Sequence, residues 1–323
     1  MKVLALFSGG LDSMLAAELI RGQGIDVLAF FFETPFFSAE RPRKSAASLN
    51  LPIKIIDATD IHLEMVAKPK HGYGSNMNPC IDCHALMMRL AGEQLEAEGA
   101  SFIITGEVLG QRPMSQNRKA LSVVAAESGY ERLILRPLSA KRLPLTEPEE
   151  KGWVDRDALL GLEGRSRKPQ MALARELGID DYPSPAGGCL LTDPVFSRRL
   201  KDLFQVQDLP HVRDVELLKV GRHFRLGPST KIVVGRNKME NEVIRGLAKV
   251  EDAILQMVSV PGPVSLLTGP TSQETEIQAL AITAAYSDAK EGDRVEIRLM
   301  KEGSDEVREG EGIPKQAFRH LMI

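Results

Sequence analysis

The sequence predicts an α/β protein: a doubly wound parallel sheet followed by a smaller C-terminal α+β domain. Three observations predict it. Short apolar runs alternate with helical patterns through the first part of the chain. A glycine loop closes the first of these runs and opens a helix. Beyond residue 194 the texture changes to strand-like runs, one capped helix and a two-stranded pattern.

The elements follow in order. VLALF (3–7) is the first strand and turns through SGGLDS (8–13) into a helix over 11–21. VLAFFF (27–32) and IKIID (53–57) are the next strands, short apolar runs between helical patterns as in parallel sheets covered on both faces. A helix is expected over 85–98, a strand at FIIT (102–105), a helix over 115–128 and a strand within RLILRP (132–137). Residues 139–194 hold many prolines, glycines and charges around one helical pattern, PQMALARELG (169–178). They form an arm on a first domain that spans 1–194. In the second domain, 195–323, KIVVG and VSLLTG are strand-like. TSQETEIQALAITAAYSDA is a capped helix, and DRVEIRLMKEGSDEVRE is a hairpin.

The bulk numbers are those of an ordinary globular protein: 323 residues, 43% hydrophobic, 26% charged and a formal net charge of −3. With that balance, any nucleic-acid surface must be a local patch. No apolar run of about twenty residues offers a membrane span. The opening MKVLALFSGGLDS turns into a glycine loop too early for a signal peptide, so a cytoplasmic location is expected. Three cysteines in such a chain argue against a disulfide scaffold and leave metal binding or catalysis.

In SGGLDS, two glycines let the backbone approach a polyphosphate, while serine hydroxyls and helix N-terminal amides donate to it. The hexamer is neither G-x-x-x-x-G-K-[ST] nor G-x-G-x-x-G. The plain alternative is a tight βα turn capped by Ser8 or Asp12. The whole hexamer resembles the S-G-G-x-D-S loop of the PP-loop ATP pyrophosphatase superfamily, whose fold is adenine nucleotide alpha hydrolase-like. That resemblance implies that Ser8, Gly9, Gly10 and Ser13 cradle the pyrophosphate end of ATP. Asp12 would position the loop or Mg²⁺ while a substrate attacks the α-phosphate. It also implies that Phe30 and Phe31, ending the second strand, border adenine; plain core is the alternative for both.

Residues 80–138 carry a longer pattern. CIDCHALMMRLAGEQLEAEGASFIITGEVLGQRPMSQ, followed by LILRPL, resembles the catalytic core of the tRNA 4-thiouridine synthetases over roughly 1–140. The preceding NPC resembles the tRNA 2-thiouridylases. The resemblance implies that Gly106, Glu107 and Gln111 lie on a strand-end loop beside the nucleotide. Ser115 and Gln116 would cap the next helix and face the same ligand. Turn geometry alone also accounts for Gly106 and Gly110. Two departures from the pattern are expected. The usual amino-terminal RNA-binding region does not precede the loop at Ser8, and no carboxyl-terminal sulfurtransferase-like domain brings its own cysteine.

Cys80 and Cys83 stand before the expected helix, whose dipole would lower a thiol pKa. Cys189 follows Gly187 and Gly188, which permit a tight turn that aims a thiolate inward. Three readings remain open. The three thiolates bind a [4Fe–4S] cluster whose fourth iron is free to carry sulfide. Alternatively, Cys189 or Cys80 holds a persulfide that another cysteine resolves. The third is a closed zinc site with His84 or His71 as fourth ligand. The resemblance to thiolases with a C-x-x-C plus one distant cysteine implies the first, with Cys80, Cys83 and Cys189 as ligands.

KVGRHFRLGPSTKIVVGRNK (219–238) holds Lys219, Arg222, Arg225, Lys231, Arg236 and Lys238 and no acid. As a strand–turn–strand it suits phosphate contacts, with Phe224 or His223 for stacking; a solvated basic face is the alternative. VVGRNKMEN resembles the glycine-arginine-asparagine signature of NFACT-R RNA-binding domains. GRSRKP (164–169) would add phosphate contacts beside the active site.

These readings converge on an ATP-dependent tRNA-uridine sulfurtransferase. Asp12, Cys80, Cys83 and Cys189 would be its catalytic residues, and ATP, Mg²⁺ and a [4Fe–4S] cluster its cofactors. Its partners would be tRNA and a sulfur donor, either sulfide or a cysteine desulfurase. The 4-position of uridine is favoured over the 2-position. A PP-loop ligase or amidotransferase for a small molecule, and an RNA-binding module with a decayed loop, are the alternatives.

Overall fold

The computed structural model describes residues 1–184 and 189–323. The chain divides into two units, Met1–Thr192 and Asp193–Ile323. Gly187 and Gly188, expected to aim Cys189, lie outside the described residues.

In the first unit, β1 (Lys2–Leu6), α1 (Leu11–Arg21), β2 (Asp26–Glu33), α2 (Glu40–Ser48), β3 (Ile53–Asp57) and α3 (Thr59–Ala67) follow one another. Then come α4 (Cys80–Glu93), β4 (Ile103–Thr105), α5 (Arg118–Ser128), β5 (Ile134–Leu135), α6 (Glu147–Glu150) and α7 (Lys168–Glu176). The five strands form one parallel sheet in the order β3-β2-β1-β4-β5. Chain order reverses between β1 and β4, so the loops after these two strands flank the topological switch point, where ligands of open α/β sheets bind.

Strand geometry explains the two apolar layers. Val3 and Ala5 of β1 point into one core with Leu11, Met14 and Leu15 of α1 and Ala174 of α7. Leu4, between them, points the other way, to Met88 and Ala91 of α4 and Val124 of α5. The same alternation splits Phe102 and Ile104 from Ile103. Residues 139–179 share the first core through Ala140, Val154, Leu159, Ala174 and Ile179, so most of the expected arm is built into the sheet's own packing.

Two element boundaries differ from expectation. The helix expected over 85–98 begins five residues earlier, at Cys80, with Pro79 as its cap. The helix expected from residue 115 is capped instead by Asn117, whose side chain accepts the Ala120 N–H at 2.9 Å. Ser115 and Gln116 therefore lie ahead of the helix, both buried, and do not cap it.

The second unit holds α8 (Pro194–Val206), α9 (Val212–Leu218), β6 (Arg222–Arg225), β7 (Lys231–Val234), α10 (Lys238–Gly246), β8 (Ala253–Met257) and β9 (Val264–Thr268). These are followed by α11 (Gln273–Ala285), β10 (Arg294–Lys301), β11 (Ser304–Glu311) and a 3-10 turn over Lys315–Leu321. Its six strands form a sheet ordered β11-β10-β8-β9-β7-β6, antiparallel at every pairing. Ser272 caps α11 as the sequence predicts, and β10–β11 is the predicted hairpin. Among the described residues, no helix is long and apolar enough to cross a membrane.

One packing contact can be tested by its sign. A Cβ on Gly92 of α4 would meet the Tyr130 ring at 2.2–2.4 Å. Helix propensity alone favours Gly92→Ala by about 1 kcal/mol. The ring contact predicts a net loss of about 1–3 kcal/mol, read as a lower urea midpoint, and partial recovery in the double variant with Tyr130→Ala.

Candidate nucleotide and thiol site

The glycine loop is held rigidly at the switch point. Gly9 has φ +69°, and a Cβ there would lie 2.9 Å from Arg41 O and Pro42 Cα, so a side chain is excluded on both counts. Ser45 of α2 donates to Gly9 O at 2.9 Å, and Ser13 donates to Gly10 O at 2.8 Å. The Gly10 N–H and Ser13 Oγ each stand 3.4 Å from Ser8 Oγ. From the opposite side, the main chain after β4 closes on the loop. A Cβ at Gly106 would fall 2.5 Å from Ser13 N and 2.6 Å from the Asp12 carbonyl carbon. Close approach, beyond turn geometry, thus requires glycine at 106.

Polar groups around this loop lack partners. Gln111 donates to Asp12 Oδ2 at 2.8 Å and accepts from Gln170 of α7 at 3.2 Å. Asp12 Oδ1, Gln170 Oε1, Arg41 Nε and Arg167 Nε are buried without a hydrogen-bond partner among the described residues. Burial and the Arg167 charge lower the pKa of Arg41. The first turns of α1, α2 and α7 all supply groups to this neighbourhood, and helix N-termini favour anions. An unsatisfied carboxylate oxygen, two guanidinium groups that repel each other and a glycine cradle fit a Mg²⁺-bound polyphosphate. Arg41 carried no motif and was missed in the sequence; Arg167 lies in the noted GRSRKP.

Phe30 is corrected. It is fully buried against α4 in the core, because the β2 alternation turns it away from the ligand side, whereas Phe31 is half-exposed.

The cysteines occupy a second part of the same region. Cys80 and Cys83 lie in the first turn of α4, three residues apart and so on one helix face. The 74–79 loop before them is shaped by Asn76, at φ +58°, a conformation asparagine tolerates. Asn76 also donates to Thr192 O at 2.7 Å, and Thr192 N and Oγ1 both donate to Cys189 O. This ties the third cysteine to the first two. All three are free, and Cys83 is buried. They are close enough for ionised Cys189 and Cys80 to oppose ionisation of Cys83, and for Cys80 to oppose that of Cys189.

The expected lowering of the thiol pKa by the helix dipole is overturned. Burial pushes Cys83 far up and raises Cys189. It also raises Cys80, despite hydrogen bonds from Asn78 and Ser115 and the nearby charge of Arg112. Among the described residues, no three His, Cys, Asp or Glu side chains group as ligands of one metal ion.

Both histidines considered as a fourth ligand hold a carboxylate on Nδ1, which leaves Nε2 as the ring nitrogen open to a metal. His84 Nδ1 meets Glu107 Oε1 at 2.8 Å, and His71 Nδ1 meets Asp82 Oδ1 at 2.9 Å. The histidine beside the thiols is His62 of α3, fully buried, with Nε2 3.4 Å from Cys83 Sγ and Phe36 and Phe37 packed on its ring. Burial lowers its pKa to about 4, so it is neutral. No sequence pattern marked it.

Glu107 joins the two parts. Its buried carboxylate takes His84 on one oxygen and Arg136 Nε on the other at 2.9 Å. Burial alone would raise its pKa, but the Arg136 charge and His84 outweigh that and hold it at about 2.

The basic segment of the second unit is largely neutralised. Arg225 pairs with Asp202, Arg236 with Glu240 and Lys219 with Glu216. Lys231, Phe224 and His223 are buried, so the last two offer no face for a base. Arg222 and Lys238 form no ion pair among the described residues; Lys238 is exposed at the first turn of α10, and Arg222 lies over the Tyr286 ring.

Strand order, glycine loop and unsatisfied polar ring describe an open α/β sheet whose switch point carries a loop suited to an anion, with three cysteines tied together nearby. Residues 1–142 match the family described as thiamine biosynthesis protein (ThiI), and residues 221–318 match the NFACT protein RNA binding domain. The chain is 30% identical over 146 residues to a protein named probable tRNA sulfurtransferase from Thermoanaerobacter sp. (strain X514), covering 42% of this chain and 36% of that one. It is 29% identical over 160 residues to another so named from Streptococcus gordonii (strain Challis), covering 46% and 38%. The chain thus spans well under half the length of these curated relatives. A crystal structure of a 4-thiouridine synthetase–RNA complex with bound ATP is similar at TM-score 0.38 and 22% identity, over 67% of this chain and 52% of that one. The chain thus carries a segment similar to the ThiI family followed by one similar to the NFACT protein RNA binding domain.

The depressed Glu107 pKa fixes a pH dependence. Its contribution to stability is complete above the ordinary value of 4.5 and is lost as pH falls toward about 2. Glu107→Gln removes that acid limb. It also lowers stability at neutral pH by about 3–5 kcal/mol, because Arg136 stays buried without its carboxylate. Urea titrations across pH measure both effects.

Proposed function

We propose that this protein is an ATP-dependent tRNA-uridine sulfurtransferase that works in the cytoplasm. One observation carries the reading. The stretch from 106 to 115 touches both halves of the site, through Gly106 and Gln111 on the nucleotide loop and through Glu107 and Ser115 on the cysteine helix. Activation by ATP and delivery of sulfur are then neighbouring events on one bound base.

In this reading the uridine carbonyl oxygen attacks the α-phosphorus of ATP, pyrophosphate leaves, and the oxygen becomes an adenylate. The loop amides and Ser8 and Ser13 bind the departing pyrophosphate, with Arg41 and Arg167 completing the charge balance. The unpaired Asp12 oxygen suits Mg²⁺ on the same phosphates. Sulfide then attacks the activated carbon, and AMP leaves with the former carbonyl oxygen. The 4-position is the favoured carbon, since the TGEVLGQ block resembles the 4-thiouridine enzymes.

Cys80, Cys83 and Cys189 would hold a [4Fe–4S] cluster, which supplies a bound sulfide at its open iron. Three cysteines gathered in one neighbourhood, two of them on one helix face, suit that group. The raised thiol pKa values make free thiolate nucleophiles scarce, and a cluster would have to displace their protons on binding. A persulfide on Cys189 or Cys80 is the second reading.

The test uses anaerobically purified protein with ATP, Mg²⁺, sulfide and an unmodified tRNA transcript. The expected products are one thiouridine and one AMP per turnover. Asp12→Asn should lower both by about 10²-fold or more, whereas Cys83→Ser should abolish thiouridine but spare RNA-dependent pyrophosphate release. No thionucleoside from iron-loaded protein would reject the reading. Full activity in a colourless, iron-free protein supplied with a cysteine desulfurase and cysteine in place of sulfide would leave only the persulfide route.

A further inference from the structure

The second unit has one cationic region that its own acids do not neutralise. A cavity of ≈ 810 Å³ is lined by Arg198, Tyr286, Lys315, Gln316, Arg319 and the terminal pair Met322 and Ile323. The Arg222 guanidinium lies 4.9 Å from the Tyr286 ring centroid, and Lys315 Nζ lies 5.5 Å from it. None of Arg198, Arg222, Lys315 or Arg319 forms an ion pair among the described residues, and no Asp or Glu side chain lines the cavity. Elsewhere in the same unit arginine is routinely paired: Arg213 with Asp252, Arg225 with Asp202, Arg236 with Glu240 and Arg298 with Asp305.

The fold gathers these four cations from separate places. Arg198 comes from α8, where its neighbour Arg199 turns inward to bind the carbonyls of Leu218 and Gly221. Arg222 comes from β6, and Lys315 and Arg319 from the 3-10 turn that follows β11. The turn is anchored by a bridge between Met322 and Phe224 and by the Ile323 N–H on His223 O at 3.0 Å. Like charges gathered without acids repel one another, and a bound anion relieves that cost.

We propose that this cavity is where the second unit grips RNA, as a subsite for one unpaired nucleotide and its flanking phosphates. The proposal rests on the tRNA reading above. Arg198, Lys315 and Arg319 contact the phosphates. Tyr286, steadied by Arg222, is the stacking platform, and exposed Lys315 leaves the ring for a phosphate when a base arrives. The volume lies within the range that holds a nucleotide-sized ligand. The phosphate-binding surface thereby moves from the segment 219–238, most of whose cations are paired or buried, to the cavity beside Tyr286, which keeps only Arg222 of that segment.

The test is tRNA binding by the full chain, followed by fluorescence anisotropy over a range of salt. Lys315→Ala with Arg319→Ala, both exposed positions, should weaken binding about tenfold or more at physiological salt. The double variant should also flatten the log–log salt dependence by about 1.4, for two phosphates on a single strand. Tyr286→Leu should weaken binding to an unstructured oligonucleotide about fivefold or more without changing the salt slope. Arg298→Ala, a paired arginine on β10, should leave both unchanged. Wild-type tRNA affinity and salt slope in a folded double variant would overturn the cavity and leave the thiolation reading standing. Failure of the wild-type chain to bind tRNA would overturn both.

Discussion

The site depends on the short stretch that leaves β4. Gly106 brings its backbone within 2.5 Å, measured from the position of an added Cβ, of the first turn of α1. Any side chain there would push the nucleotide loop from the sheet. The next residue, Glu107, is buried between Arg136 beyond β5 and His84 on α4. One dipeptide thus sets the loop that faces phosphate and the helix that carries two thiols. The buried carboxylate is stable only because both oxygens are paired, and breaking such a pair costs far more than its net worth when intact.

The thiol site shows two physical effects in opposition, and burial wins. A helix N-terminus favours thiolates, and Cys80 and Cys83 do occupy the first turn of α4. Yet desolvation and mutual repulsion leave all three thiols harder to ionise than ordinary cysteine. Such a trio is a poor set of free nucleophiles. Neutral His62, wedged between Phe36 and Phe37 against Cys83, adds a polar wall without adding charge.

Much of this was legible in the sequence because it is local. Short apolar runs announced strands buried on both faces, SGGLDS announced the loop, and two cysteines plus a distant third announced a site. The failures came from through-space partners. Nothing in GRHFR tells that Phe224 and His223 face the core, or that Asp202, on α8, lies against Arg225. Glu240, which neutralises Arg236, falls just beyond the acid-free window. The start of α4 was missed because NPCIDC reads as a proline-turned loop, while the structure uses Pro79 as the cap and lets Cys83 N–H close the first helical bond on its carbonyl at 2.9 Å. His62, in an ordinary amphipathic helix, gains meaning only once α3 packs on α4.

The account's central claim is that the nucleotide loop activates a base carbonyl for displacement by sulfur. The direct measurement is the fate of that oxygen. A tRNA carrying ¹⁸O at the carbonyl of the target uridine is turned over once with ATP and sulfide, and the products are analysed by mass spectrometry. The account predicts one ¹⁸O in AMP and none in pyrophosphate for each thiouridine formed. Thiouridine produced alongside unlabelled AMP would contradict it.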